Sequence, residues 1–406
     1  MTVLSVVLSL LITLLLLPSG VLFVQVIAAL LPARRGSREQ NAGGGFSDSP
    51  DVCLLMPAHN EATGIAIVLQ TLLRQLGPRT RLLVVADNCT DATAAIVREF
   101  AKTCEYVVVV ERYNTQLRGK GYALDHGIRH LEASPPEVVV VVDADCEVAP
   151  GAIDSLAKRC VASRRPVQAL YLMLSPNGAG IKIKLAEFAW LVKNHVRPLG
   201  FQRIGLPCQL MGTGMAFLWP HIKQAKLNTG HIVEDMQLGI DLAQAGTPPL
   251  FCRDALVTSV FPATAQGLDT QRTRWEHGHL GVIATQVPLL LWRGISRRDW
   301  ALLAMALDLC VPPLALLTLL TGASLAAGVV LALAGGSWVS GVVSVAAGAM
   351  LGVAVVGAWV GFGQGVISFW QLCKVPAYVL AKLPLYFYFL VKRQTSWVRS
   401  KRDGEQ

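Results

Sequence analysis

Val138-Val139-Val140-Val141-Val142-Asp143-Ala144-Asp145 is the stretch on which the reading of this chain turns. Five consecutive β-branched apolar residues predict a strand buried on both faces, the signature of a sheet with helices on either side. Two carboxylates follow at its carboxyl end. In open α/β sheets that edge is where ligands bind, so the polar residues after each strand are the first candidates for chemistry.

The same pattern repeats upstream. Val52–Met56, Arg81–Ala86 and Tyr106–Val110 are strand-like, and the helical patterns 62–76, 92–102 and 120–132 lie between the runs. This alternation predicts a mostly parallel sheet. The first run closes on Met56-Pro57-Ala58-His59-Asn60-Glu61, the second on Ala86-Asp87-Asn88-Cys89-Thr90-Asp91. Carboxylates thus gather at one edge. Mutual repulsion makes that costly unless a cation or a set of donors sits among them. Hard oxygen ligands in Asp143-Ala144-Asp145 suit Mg or Mn, although an isolated D-x-D is more often a pair of solvated turn residues.

Downstream lie smaller signals, each weak alone. Arg118-Gly119-Lys120-Gly121 offers backbone access and one cation to an anion. Met211-Gly212-Thr213-Gly214-Met215 is a small-residue stretch that suits either a ligand or a closely packed strand. Val233-Glu234-Asp235 opens an amphipathic helix, where acidic residues also complement the dipole. Gln271, Arg274 and Trp275 fall at i, i+3 and i+4, on one helical face. A guanidinium can grip a diphosphate and an indole can stack on a sugar; an interfacial Arg/Trp pair is the plainer alternative. His277 and His279 lack the company of further metal ligands.

The flanks are different in kind. Val3 to Leu31 carries no charge and is long enough to cross a bilayer, which needs roughly 20 apolar residues. It lacks the basic leading region of a cleaved leader. Residues 301–334 and 338–362 can each span as well, with Pro312-Pro313 bending the first. Residues 366–391 contain Lys374, Lys382, Pro376 and Pro384 and are expected to lie in the interface. The chain of 406 residues is 53% hydrophobic and 16% charged, with a formal net charge of +9 and a mean hydropathy of +0.47. That is too apolar for an ordinary soluble domain. Arg34, Arg35 and Arg38, Arg293, Arg297 and Arg298, and Lys392 to Arg402 flank the apolar runs, as cytoplasmic loops beside anionic lipid do. No basic stripe with interleaved aromatics points to nucleic acid. The nine cysteines are irregularly spaced with no C-x-x-C pair, which suits a reducing compartment.

Taken in order, Pro-Ala-His-Asn-Glu, Ala-Asp-Asn-Cys-Thr-Asp, Arg-Gly-Lys-Gly, Asp-Ala-Asp, Gly-Thr-Gly, Glu-Asp and Gln-x-x-Arg-Trp resemble the family 2 glycosyltransferases over roughly residues 51–290. The flanking apolar runs are similar to those of ceramide glucosyltransferase-like and bacterial exopolysaccharide enzymes. The resemblance implies an α/β GT-A domain with a mostly parallel sheet, between N- and C-terminal transmembrane helices. The expected organisation is an anchor over 1–33, a linker over 34–50 and a cytoplasmic catalytic domain over 51–292. Two membrane helices follow over 293–365, then an interfacial segment and basic tail over 366–406.

It further implies an inverting, metal-dependent transfer from a UDP-sugar to a lipid-linked or saccharide acceptor. Pro57, Ala58, Asn60, Glu61 and Asp87 would hold the nucleoside. Asp145, with Asp143 nearer the ribose or the metal, would bind Mn2+ or Mg2+. Lys120 and Arg274 would face the diphosphate, and Asp235 would be the general base. Gly212, Thr213, Gly214, Glu234, Gln271 and Trp275 would meet the acceptor. Val233 stands where the family carries Thr, and Cys89 and Cys146 where small polar residues are commoner. A processive polysaccharide synthase shares these motifs but normally builds a channel from more spans. A non-catalytic transport component would need ionisable groups within its spans, and only Asp308 offers one.

Overall fold

The computed structural model describes residues 3–32, 50–262, 265–335 and 338–381, together with Leu383 and Tyr386. In chain order the elements are α1 (Val3–Leu30), β1 (Val52–Ala58), α2 (Ile65–Leu73), β2 (Thr80–Asp87), α3 (Thr93–Thr103), β3 (Val107–Arg112), α4 (Lys120–Leu131), β4 (Val138–Val141), β5 (Glu147–Val148), α5 (Ala152–Ser163), β6 (Val167–Leu174), α6 (Ile181–Leu191), α7 (Arg197–Arg203), β7 (Met215–Leu218), α8 (Trp219–Lys223), α9 (Glu234–Gln244), β8 (Leu250–Val260), α10 (Ala265–Arg297), α11 (Trp300–Leu309), α12 (Leu314–Leu333), α13 (Trp338–Ala358), α14 (Phe369–Leu372) and α15 (Val375–Leu380). They form two compact units: a sheet unit of residues 50–174 and 207–261, and a helical unit made from the rest of the described chain.

The sheet has eight strands in the order β3-β2-β1-β4-β7-β6-β8-β5. The Val-rich runs β3, β2, β1 and β4 are parallel neighbours. β1, β2 and β4 are covered on both faces and bury most of their residues, whereas the edge strand β3 buries only Val107. β7 then inserts antiparallel between β4 and β6, β6 and β8 run parallel, and β5 closes the far edge antiparallel to β8. The mixed, mostly parallel sheet agrees with the sequence expectation, and its main core joins β1, β2, β4 and β7 to α4 and α9 through Leu55, Val85, Leu124, Val139, Phe217 and Leu238. β2, β1 and β4 all point their carboxyl ends to one edge, with Ala58 opposite Ala86 and Leu55 opposite Val141.

In the helical unit three helices are long and apolar enough to cross a membrane: Val6–Leu30, Leu314–Leu333 and Trp338–Gly363. The second is shorter than the expected run 301–334, because Pro312-Pro313 ends α11 and α12 starts afresh at Leu314. The sheet unit closes at Phe261, and Ser175–Leu206 and α10 group with the apolar helices. Between residues 366 and 381 the chain makes only the short helices α14 and α15. Residues 34–49 of the expected linker 34–50, and residues 387–406 of the expected interfacial segment and basic tail 366–406, lie outside the described residues.

Asp308, the ionisable group in the apolar runs, is closed into a network. Arg197 Nη2 donates to its Oδ1 at 2.8 Å and Gln25 Nε2 at 2.6 Å, while Arg197 Nε donates to Gln25 Oε1 at 3.1 Å. All three side chains are buried. Each partner is satisfied by another, which ties α1, α7 and α11 together.

Candidate active site

The first part of the site is the pair of loops that follow β1 and β2. They are stitched side chain to backbone. Asn60 Oδ1 accepts the Thr90 N–H at 2.7 Å, Asp91 Oδ2 accepts the Ala62 N–H at 3.0 Å, and Thr93 Oγ1 accepts the Glu61 N–H at 2.7 Å. Asn60 and Asn88 both sit in the left-handed region, at φ 55 and 50, which asparagine tolerates better than most residues. Asp87 is buried at the end of β2. Its Oδ1 accepts Arg112 Nη1 at 2.5 Å and Asn88 Nδ2 at 3.1 Å, and its carbonyl accepts His59 Nδ1 at 2.6 Å. Arg112, at the end of β3, also lies 5.5 Å over the Tyr122 ring. Arg112 was not foreseen from the sequence; the signal was a basic residue closing a Val run at the same sheet edge.

The second part lies beyond β4, one strand further along this edge. Lys120, at the start of α4, forms an ion pair with Asp143 Oδ1 and donates to the Gly212 carbonyl at 2.7 Å. The Asp143 N–H donates to Thr213 Oγ1 at 3.0 Å. A Cβ placed on Gly212 would lie 3.5 Å from Asp235 Oδ2 and 4.0 Å from Lys120 Nζ. Asp143, Gly212, Lys120 and Asp235 therefore meet around one point. Gly214, at φ 64, comes so close to β6 and β8 that an added Cβ would stand 2.6 Å from Ala169 Cβ. The small residues of this stretch serve close packing as well as access.

What fixes the 211–214 segment is Gln168, a buried residue the sequence reading passed over. Its Oε1 accepts the Met211 N–H at 2.8 Å and its Nε2 donates to the Thr213 carbonyl at 2.9 Å. A glutamine inside the apolar strand β6 gave the only hint. Its amide continues the ladder after β7 has parted from β6.

Charge is concentrated here. Glu234 and Asp235 open α9 behind Val233, whose side chain makes no cap. Burial, reinforced by the charge of Asp235, pushes the Glu234 carboxyl up to about 7. Asp145 keeps an exposed face; the surrounding protein mass and the charge of Asp143 push its carboxyl up to about 6, and the repulsion is the cause that exposure leaves intact. Burial alone would lower Lys120, but Asp143, Glu234 and Asp235 outweigh it and hold the ammonium charged. Four carboxylates, Asp143, Asp145, Glu234 and Asp235, are thus gathered near the Lys120 ammonium. Asp143, Asp145 and Cys146 bring their ligand atoms within 4.8 Å of one another. Two hard carboxylates fit Mn2+ or Mg2+; the Cys146 thiol is buried and pushed well above its usual range, which makes it a poor ligand for either.

Of the residues expected from the sequence, Pro57, Ala58, Asn60, Glu61 and Asp87 lie along the β1–β2 part of the edge. Lys120, Asp143, Asp145, Gly212, Thr213, Gly214, Glu234 and Asp235 lie along the β4 part. Gln271, Arg274 and Trp275 belong to α10 in the helical unit, where the Trp275 ring packs on Trp190 at 4.7 Å between centroids. His279, on the same helix, meets the Leu309 carbonyl at 3.2 Å.

A mixed α/β sheet with an acidic cluster at its carboxyl edge defines a class, and known proteins share it. The family "Glycosyltransferase like family 2" matches residues 50–278, and the chain belongs to it. Among curated proteins it is 28% identical over 251 residues to a probable glycosyltransferase YdaM of Bacillus subtilis (strain 168), covering 59% of this chain and 57% of that one. It is 34% identical over 101 residues to a β-monoglucosyldiacylglycerol synthase of Synechocystis sp., covering 24% of this chain and 20% of that one. The chain therefore spans little more than half of the first relative and a fifth of the second. Among solved structures, a mannosyltransferase, PcManGT from Pyrobaculum calidifontis in complex with GDP-Man and Mn2+, aligns with a TM-score of 0.54 at 17% identity, covering 95% of this chain and all of that one. That likeness establishes the GT-A-like fold.

Proposed function

We propose that this protein is an inverting glycosyltransferase that moves a sugar from a UDP-sugar to a lipid-linked or saccharide acceptor at a membrane. The observation that carries this is the meeting of Asp143, Lys120, Gly212 and Asp235 around one point, two strands from Asp87 at the same sheet edge. That separation is about 10 Å, the reach of a nucleoside diphosphate. Asp87, held by Arg112, and the loops 57–61 take the nucleoside. Asp143 and Asp145 would hold Mn2+ or Mg2+, which supplies charge neutralisation for the diphosphate leaving group.

The Asp235 carboxylate accepts the proton of the acceptor hydroxyl as that oxygen bonds to the anomeric carbon. The bond from that carbon to the diphosphate oxygen breaks, and its electron pair leaves with the diphosphate. Lys120 stabilises the charge that develops nearby. Attack from the face opposite the leaving group turns an α-linked donor into a β-linked product. For Gln271, Arg274 and Trp275 the acceptor and diphosphate roles rest on the family resemblance alone. We infer a cytoplasmic sheet unit from the Arg34, Arg35 and Arg38 cluster that follows the first apolar run.

The test is to incubate the purified full chain with a panel of UDP-sugars, membrane lipid extract and Mn2+, and to analyse the product by mass and by the anomeric coupling constant. One β-linked sugar per acceptor is expected. A long homopolymer points to a processive synthase, and an α-linkage or no product with any donor overturns the reading.

A further inference from the structure

α10 and α11 form a hairpin too short to cross a bilayer. α11 has 10 residues, which span about 15 Å, half of the ~30 Å hydrocarbon core. The two helices pack tightly near the turn. An added Cβ on Gly294 would stand 2.7 Å from Leu303 Cγ and 3.0 Å from its backbone nitrogen. Leu290, Leu302 and Met305 are buried on the inner faces. The turn is built from Arg298, at φ 54, and Asp299, whose Oδ1 accepts the N–H groups of Ala301 and Leu302 at 2.9 and 3.0 Å. Beyond α11 the joint Cys310-Val311-Pro312-Pro313 leads straight into the candidate span α12.

The outer face of the hairpin tip has a distinct chemistry. Trp292 and Ile295 are each 67% exposed and Trp300 is 76% exposed. Arg297 and Arg298 beside them are exposed too. Between Glu276 and Asp308 the only acidic residue is Asp299, against Arg293, Arg297 and Arg298, and one Asp299 oxygen is committed to the helix cap. Two indoles and an isoleucine in water are costly at about 25 cal/mol per Å2 of apolar surface. An amphipathic indole is most at home at headgroup depth, and exposed guanidiniums there meet lipid phosphates.

We propose that the α10–α11 tip is a binding surface for anionic phospholipid, with Trp292, Ile295 and Trp300 in the headgroup layer and Arg297 and Arg298 on headgroup phosphates. The inference is independent of the catalytic reading, since it uses no residue of the acidic cluster.

The experiment uses the full chain reconstituted in phosphatidylcholine vesicles containing one-fifth phosphatidylglycerol, with the acyl chains brominated on one lipid or the other. Indole quenching assignable to the tip is the difference between the native chain and Trp292→Phe/Trp300→Phe. Correcting for mole fraction, that difference is expected to be larger for brominated phosphatidylglycerol, by up to about fivefold per arginine at low salt. The preference should vanish in Arg297→Gln/Arg298→Asn, where asparagine keeps the left-handed turn. Continued quenching of that variant by brominated phosphatidylcholine would show that it is folded and inserted. No quenching assignable to Trp292 and Trp300, equal quenching by the two lipids, or a preference that survives loss of both arginines overturns the proposal.

Discussion

Lys120 has three negative neighbours, and that single contact set organises the acidic edge. Its ammonium pairs with Asp143, holds the Gly212 carbonyl and lies in the field of Glu234 and Asp235. Behind it, Gln168 keeps the 211–213 backbone in place. Gln168→Leu takes the glutamine partner from the buried Thr213 carbonyl, at about 1–3 kcal/mol, and from the half-buried Met211 N–H at less. The expected result is a lower melting temperature and at least about tenfold slower transfer at saturating donor; a variant as active and as stable as the native chain would show that the segment holds itself. The acidic pair gives a pH signature. Glu234, pushed up to about 7 by burial and Asp235, is protonated below that point and ionised above it. The negative charge that Glu234 gains beside the Asp235 carboxylate helps that base draw the acceptor's proton, so kcat/KM should rise with pH through about 7. Glu234→Gln should remove that limb from the profile, and a profile flat from pH 6 to 8 in the native chain would contradict the assignment.

At the scale of elements, β1 to β4 could be read in the sequence because each is a Val- or Leu-rich run bounded by turn residues; burial on both faces accounts for it in β1, β2 and β4, and β3 carries it at the sheet edge. β7 and β8 could not. β7 has four residues, and β8 carries Arg253 and Asp254 across its middle, where the register shifts against β6. The acidic cluster was legible because its members follow strand ends or open a helix. Gln168 and Arg112 act through partners distant in the chain, and pairing of that kind leaves no local pattern. α9 offers a test of the one departure from the family pattern. Val233 occupies its N-cap without a side-chain acceptor. Val233→Thr should supply one and stabilise the chain by about 1 kcal/mol, seen as a higher melting temperature. An unchanged or lower melting temperature would mean that Val233 packing outweighs the cap.

Across the whole molecule, the apolar helices are more than a tether. The buried Gln25, Arg197 and Asp308 join the first helix to α7 and α11. Removing one partner strands a charge. Asp308→Ala should therefore destabilise the full chain in detergent by about 3–5 kcal/mol. Arg197→Met/Asp308→Leu, which removes both charges, should recover much of that loss in a thermal aggregation assay. Equal losses for the single and double variants would mean that the network fills space without an electrostatic role. Neither network partner was visible in the sequence, where Asp308 alone stood out against an apolar background.

Transfer depends on Asp235 acting as the base beside a donor held by other residues. The decisive measurement is sugar transfer by Asp235→Asn, set against its UDP affinity measured by calorimetry in Mn2+. UDP affinity within about twofold of the native chain, with transfer reduced by about a thousandfold or more, is the predicted result. Transfer at near-native rates in that variant would contradict it.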